Sequence, residues 1–197
     1  VEELQNSSPE SGRHIIRFDL TEELRHGVTV SNLAYKVGQE LGYSEEICYE
    51  LALAGFLHDI GKLRLRRYIS GQEKDPLVIE ELKYVRMHSA LGYEELKDKG
   101  YSDFVLKSIL YHHENYDGSG YPENLRGEEI PLGARVIRVC DVFCALRQDR
   151  PYREAFDTRT AMELMIEEIK NFDMRIFLAF QRVVHRQMAE QEEHSGS

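Results

Sequence analysis

Two adjacent imidazoles, His112 and His113, close an apolar, helix-like run containing Phe104, Val105, Leu106, Ile109 and Leu110. A turn-rich loop follows at once: Glu114-Asn115-Tyr116-Asp117-Gly118-Ser119-Gly120-Tyr121-Pro122. Asp117-Gly118 and Gly120 supply the backbone freedom that a sharp reversal needs. Histidine packs poorly in an apolar core but is well suited to holding a divalent metal. A second pair, His58-Asp59, stands just before Gly61, and His26, His88 and Asp141 complete the set of residues with chemical promise. For any one of these histidines alone, a satisfied core or surface role is the simpler reading.

The elements that must position them read as helices almost throughout, with no convincing alternating strand. The first long helix is expected from near Asp19, spaced with Glu22 as an N-terminal cap, to Leu41, with Gly42 as its stop. Its stripe of Val30, Leu33, Val37 and Leu41 extends backwards one turn onto His26, and one turn further onto Glu22. The second starts after Ser44 and carries Ile47, Leu51 and Ala54, so that its next stripe position is His58. A third is expected to open near Pro76, with Val78, Val85 and Leu91 close to the face that holds His88. A fourth is introduced by Ser102 and runs through Val105 and Ile109 to His112; a fifth follows Pro131, with Ala134 and Ile137 leading to Asp141. Two more, after Asp157 and Asp173, lack inward histidines and read as structural support. The expected fold is an all-α bundle of about seven helices in one domain.

Five separate helices thus carry an imidazole or a carboxylate where the next core residue belongs. Burying one unpaired polar group costs roughly 1–3 kcal/mol, and an ionised one more. One such lapse is unremarkable; five need a common explanation, and a shared metal cluster at the centre of the bundle provides it. Imidazole with carboxylate and no thiolate suits iron, manganese or zinc. Neighbours on a helix diverge by about 100°, so His58-Asp59 and His112-His113 can each meet one site only at a helix end. A carboxylate beside imidazoles commonly bridges two ions, and two-ion centres serve phosphoester hydrolysis.

The chain has 197 residues, 42% hydrophobic and 30% charged, in keeping with one globular domain. Its net charge of −10 argues against a nucleic-acid polymer as partner, although a locally cationic site can still bind a small anion. No apolar run approaches a membrane span. Three cysteines, Cys48, Cys140 and Cys144, make no disulfide framework and fit a reducing cytosol. Cys140 and Cys144 share a helix face, but buried cysteine is usually a small hydrophobe. Residues 1–12 read as a flexible linker, 13–189 as the domain and 190–197 as a flexible tail. The first residue is Val1 rather than Met, as in a segment of a longer protein.

The string from His112 to Pro122 resembles the HHE-x-x-DG-x-GYP element of HD-GYP domains, metal-dependent phosphodiesterases of cyclic dinucleotides. His58-Asp59-Ile60-Gly61-Lys62 is similar to the family's HD-x-GK motif. His26, His88, Asp141 in Arg138-Val139-Cys140-Asp141-Val142-Phe143, and Arg150-Pro151-Tyr152-Arg153 fall at matching positions between about Thr21 and Phe180. The HD-x-GK motif alone indicates only the broad HD phosphohydrolases; the Gly120-Tyr121-Pro122 loop with Arg-Pro-Tyr-Arg is far more specific.

That resemblance implies His26, His58, Asp59, His88, His112, His113 and Asp141 as ligands of two or three divalent ions, iron or manganese, with Asp59 bridging. Glu22 stands at the position that supports a third metal in some members, and a helix-start carboxylate is its equal alternative. Lys62 would face the scissile phosphate. The implied reaction is in-line attack by a metal-bridging hydroxide on cyclic di-GMP, giving pGpG and then GMP. Arg150, Tyr152 and Arg153 are candidates for guanine or phosphate contact, with structural salt bridging equally open, and Gly120, Tyr121 and Pro122 would line the substrate or grip a signalling protein. A cytoplasmic location is expected.

Three departures bear on substrate choice. Leu63-Arg64-Leu65-Arg66-Arg67 replaces a short Gly-x-Pro segment after Lys62, Asn115 stands where a basic residue is common, and Arg147 replaces a small polar residue. The competing readings are a phosphodiesterase for another cyclic dinucleotide such as cyclic GMP-AMP, a catalytically silent receptor or docking module, and a general HD nucleotide phosphohydrolase.

Overall fold

Seven α-helices can be traced in the structure, a computed structural model that describes residues 20–64, 86–149 and 153–195. They are α1 (Leu20–Glu40), α2 (Glu45–Leu57), α3 (His88–Leu96), α4 (Asp103–Tyr111), α5 (Leu132–Leu146), α6 (Thr158–Glu167) and α7 (Met174–Ser195). Short 3-10 turns at Gly127–Glu129 and Ile169–Asn171 lie between them. No strand occurs among the described residues, so the all-α expectation holds. Asp19, Pro76, Val78 and Val85, invoked for two helix starts and a stripe, lie outside the described residues, as do residues 1–12. α7 continues to Ser195, through most of the stretch read from sequence as a tail.

The punctuation follows local chemistry. Ser44 and Ser102 cap α2 and α4 by accepting hydrogen bonds from the backbone N–H of Ile47 and Val105. Asp157 does the same for Thr160 at the head of α6, and Asp173 accepts from Arg175 and Ile176 at the head of α7. α1 stops before Gly42, whose φ of 77° is one that a side chain would resist.

The apolar stripes converge on α5, which packs against α1, α2, α4, α6 and α7. Val30, Val37, Leu51, Ala54, Ile109, Ala134 and Ile137 are buried, as their spacing predicts. Each large aliphatic chain so buried contributes about 1.5–3 kcal/mol. α1 and α2 cross closely because Gly27 has no side chain to hold off the Phe56 carbonyl. That approach brings His26 and His58, which flank the crossing, to a ring separation of 5.2 Å. No helix among the described residues is long and apolar enough to cross a membrane.

Candidate metal centre

At the end of the core, where the stripes give way to polar side chains, five elements deliver their acids and imidazoles to one place. His26 projects from α1, His88 begins α3 and Asp141 projects from α5. His58 and His112 occupy the C-terminal caps of α2 and α4, so Asp59 and His113 lie on the turns beyond and can aim back at the same point. The four histidines 26, 58, 88 and 112 are between 0% and 4% exposed, a depth at which polar groups need partners.

The donors form two groups. His88, His112 and His113 make one; His26, His58 and Asp59 make the other. In the first, His88 Nε2 lies 3.2 Å from His112 Nε2 and 3.0 Å from His113 Nε2. Beside the second, Asp141 Oδ1 lies 3.0 Å from His26 Nε2 and 3.6 Å from His58 Nε2. Asp59 joins them: its Oδ2 is 3.2 Å from His58 Nε2 and its Oδ1 is 3.2 Å from His88 Nε2. One carboxylate therefore divides its oxygens between two clusters of imidazole nitrogen.

These residues fit a pair of divalent ions. His58 Nδ1–H donates to the Gly55 carbonyl at 2.8 Å, and His112 Nδ1–H donates to that of Ile109 at 2.7 Å. A carbonyl can only accept, so both rings present Nε2 to the centre, the outer bond fixing ring orientation as it does for metal-bound histidine. His58 Nε2 has two carboxylates within reach, those of Asp59 and Asp141. Two donors about 2.1 Å from a common ion, and at right angles about it, stand roughly 3.0 Å apart, which is close to the spacing of the His88 nitrogen from those of His112 and His113. Three ring nitrogens gathered so closely are hard to reconcile with simple packing.

The electrostatics favour cations. Burial opposes ionisation of Asp59, yet His58, Lys62 and the hydrogen bonds from His58 and His88 hold it well below the usual carboxylate range. Burial likewise opposes charge on Asp141, and the bonds from His26 and His58 overcome it. Burial, reinforced by the neighbouring rings, presses His112 well below the usual histidine range. His113 is pushed down to about 3 by burial, with His88 and Arg138 adding to the effect. His58 differs: burial works against its protonated form, but Asp59 and Asp141 outweigh it and raise it to about 10. The field that holds a proton there would equally hold a metal ion.

A pH dependence follows. Below about pH 10 an ion entering the His58 subsite must displace a proton, whereas His112 and His113 are already neutral at pH 6. Apparent metal affinity should therefore rise about tenfold per pH unit between pH 6 and 8. Calorimetric titration with manganese in two buffers of different ionisation enthalpy would show one proton released per ion at that subsite. A flat profile would mean that His58 is not a ligand.

Lys62 Nζ reaches Asp59 Oδ2 at 2.6 Å and Glu23 Oε2 at 3.2 Å. Glu23, not Glu22, is thus the helix-start carboxylate that touches the motif. Glu22 is exposed and stands outside both donor groups; it lines a cleft with Glu23, Arg25, His26, Lys62, Gln148 and Asp149. The free cysteines Cys140 and Cys144 are buried and take no part in the donor groups.

The loop after His113 is braced from beneath by Glu114, a residue whose place in the sequence announces no task. Its side chain is 1% exposed, and Oε1 accepts from the Glu123 N–H at 2.7 Å. Burial raises the Glu114 carboxyl while the N–H groups of Glu123, Leu125 and Asn124 draw it down. Gly120 passes so close to Asn115 and Glu114 that any side chain would strike their backbone. Tyr121, followed by a cis peptide bond to Pro122, stacks on His113 with centroids 4.7 Å apart, and Arg86 covers it at 5.4 Å. Tyr121 and the exposed Pro122 are thereby held beside the centre.

The basic residues divide. Arg150 and Tyr152 lie outside the described residues, as do Leu65, Arg66 and Arg67. Arg153 gives its guanidinium to the carbonyls of Ala145, Leu146, Gln148 and Glu154, closing the end of α5. Arg147 similarly donates to the Phe156 carbonyl, and Arg64 pairs with Glu95 at 3.6 Å.

Comparison with known proteins yields a match to the HD domain family over residues 10–176. The chain is 37% identical over 163 residues to the cyclic di-GMP phosphodiesterase PA4108 of Pseudomonas aeruginosa, a match covering 81% of this chain and 38% of that protein. It is 34% identical over 157 residues to the 3'3'-cGAMP-specific phosphodiesterase 1 of Vibrio cholerae, covering 78% and 36%. It spans less than two fifths of either relative. Among solved structures, Bd1817, an HDG"Y"P protein from Bdellovibrio bacteriovorus, superposes with a TM-score of 0.66 at 22% identity, over 85% of this chain and 55% of that one.

Proposed function

Because this chain belongs to the HD domain family, with the HD-x-GK and GYP-loop signature in place, we propose that it is a metal-dependent phosphodiesterase that opens cyclic di-GMP to pGpG and then to GMP. The observation that carries this reading is the divided carboxylate of Asp59, one oxygen toward His58 and the other toward His88. A phosphodiester anion resists hydrolysis because its charge repels the attacking oxygen, so a site that cuts it must concentrate positive charge. Two divalent ions would supply that charge and a water of lowered pKa when bound.

His26, His58, Asp59 and Asp141 would hold one ion, and Asp59, His88, His112 and His113 the other. Iron and manganese suit this set of nitrogen and oxygen donors, and Glu22 at the cleft would serve a third. Asp59, kept ionised, orients the two sets of donors and anchors Lys62 beside them. Lys62 keeps its proton, since Asp59 and Glu23 together outweigh the effect of burial, so it can offset charge growing on a phosphate oxygen. Gly120, Tyr121 and Pro122 form the wall against which a base would lie, and Arg150 and Tyr152 are assigned to the substrate's mouth. The same loop is the surface we assign to a signalling partner. We place the domain, residues 13–189, in the cytoplasm, where cyclic dinucleotides act.

A second reading, preference for cyclic GMP-AMP, draws on the similarity to a relative named for that substrate. The test is turnover by protein loaded anaerobically with iron or with manganese, offered cyclic di-GMP, cyclic GMP-AMP and a nucleoside triphosphate, with the products resolved by chromatography. Cyclic di-GMP should be the fastest, yielding pGpG first, and His112→Ala should abolish turnover and lower metal content in a protein that remains helical. Tight dinucleotide binding without turnover would favour a silent receptor; triphosphate cleavage alone would favour a general hydrolase.

A further inference from the structure

Arg138 lies on α5 three residues before Asp141. Its Nε donates to Asn115 Oδ1 at 3.0 Å, which ties the helix to the loop that follows His113. Among the described residues this is the hydrogen bond its guanidinium makes, and it leaves the two terminal amino groups without an acceptor. Asn115, being neutral, leaves the charge of the fork unopposed. Asp141, Tyr121 and Glu168 are near enough to feel that charge, but none forms an ion pair with it. Burial presses the guanidinium's pKa down, yet an arginine keeps its proton.

Three other cations around the centre are already engaged. Lys62 is held by Asp59 and Glu23, Arg153 by four carbonyls, and Arg86 lies over the Tyr121 ring. Arg138 differs in holding a half-buried charge beside His113 and Tyr121, with four N–H donors to spend. A planar fork in that state matches two oxygens of a phosphate.

We propose that Arg138 is a substrate-binding residue that sets specificity for phosphodiester anions, its terminal amino groups taking two non-bridging oxygens of the substrate from the His113 side. Lys62 would approach from the Asp59 side. The inference rests on the phosphodiesterase reading above and adds to it a contact that Arg138 makes.

The test is steady-state kinetics of Arg138→Gln, Arg138→Lys and Asn115→Ala, all manganese-loaded, on cyclic di-GMP. Arg138→Gln should raise KM about tenfold or more with kcat held within about threefold, as loss of a charged contact made in ground and transition state alike requires. Metal content should be unchanged. Arg138→Lys should recover part of the loss, and Asn115→Ala should leave KM within about threefold of wild type. If Asn115→Ala matches Arg138→Gln, the arginine is only a brace for the loop, and the proposal is overturned. An unmoved KM in Arg138→Gln, with wild-type turnover intact, overturns it too and leaves the phosphodiesterase reading standing. Absence of wild-type turnover would sink that reading instead. Equilibrium dialysis of labelled cyclic di-GMP then decides: binding weakened about tenfold in Arg138→Gln supports the contact, whereas equal binding, or none by wild type, removes it.

Discussion

Asp59→Asn should lower turnover on the order of 10³-fold or more, a barrier increase of about 4 kcal/mol at 1.36 kcal/mol per tenfold. Asparagine matches the carboxylate in shape but keeps one oxygen, and its amide NH₂ cannot serve as a ligand. In the structure each carboxylate oxygen has its own imidazole, His58 for Oδ2 and His88 for Oδ1, both at 3.2 Å. The substitution therefore takes the shared ligand from one of the two clusters whichever way the amide turns. It also removes the charge that holds His58 protonated and Lys62 in place. Elemental analysis should find one ion fewer than in wild type, and a circular dichroism spectrum should show the helices intact. Full metal content together with full turnover would mean that Asp59 bridges nothing. Asp98→Asn, an exposed carboxylate beyond α3, is the matched control and should change neither.

How much of this was legible in the residues depended on whether the information was periodic. The stripe Val30, Leu33, Val37 identified the buried face of α1, and running it backwards found His26; the same step found His58 beyond Leu51 and Ala54, and Asp141 beyond Ala134 and Ile137. Ser44, Ser102, Asp157 and Asp173 announced helix starts because capping is a local bond. Contacts between remote segments left no such trace. That Glu23 and not Glu22 meets Lys62 depends on the rotation of α1, where one residue is about 100°. Glu114 had no visible task because its partners are backbone N–H groups across a loop, which any sequence supplies. Arg153 read equally as a substrate contact or a structural residue, and like Arg147 it donates to carbonyls around the end of α5, a use that depends on where the chain turns back. The division of Asp59 between two clusters is likewise a fact of three dimensions. The resemblance implied a bridge, and the folding of the turn at Asp59 shows which oxygen faces which ring.

The turn that carries Asp59 also sets the position of His88, through Gly61, and this gives the second large effect. A side chain built at Gly61 would run into the His88 carbonyl and the Gly92 N–H, both backbone groups of α3 that no rotamer change can move. Gly61→Val should therefore push the start of α3 away from the turn, and the His88 ring with it. That ring now stands 3.0 Å from His113 Nε2 and 3.2 Å from His112 Nε2, and a displacement of roughly 0.5 Å or more is enough to spoil a ligand set. Overpacking against backbone should cost about 3 kcal/mol or more, a fall in Tm of about 10 °C for a chain of this size. The ion that His88, His112 and His113 would hold should be lost, and turnover with it. Gly42→Ala separates displacement of the site from loss of stability. Gly42 has a φ of 77° and open space around it, so alanine there should cost about 1 kcal/mol of strain while leaving metal content and turnover unchanged. If Gly61→Val retains both ions at wild-type turnover, the contact between this turn and α3 cannot be what aims His88.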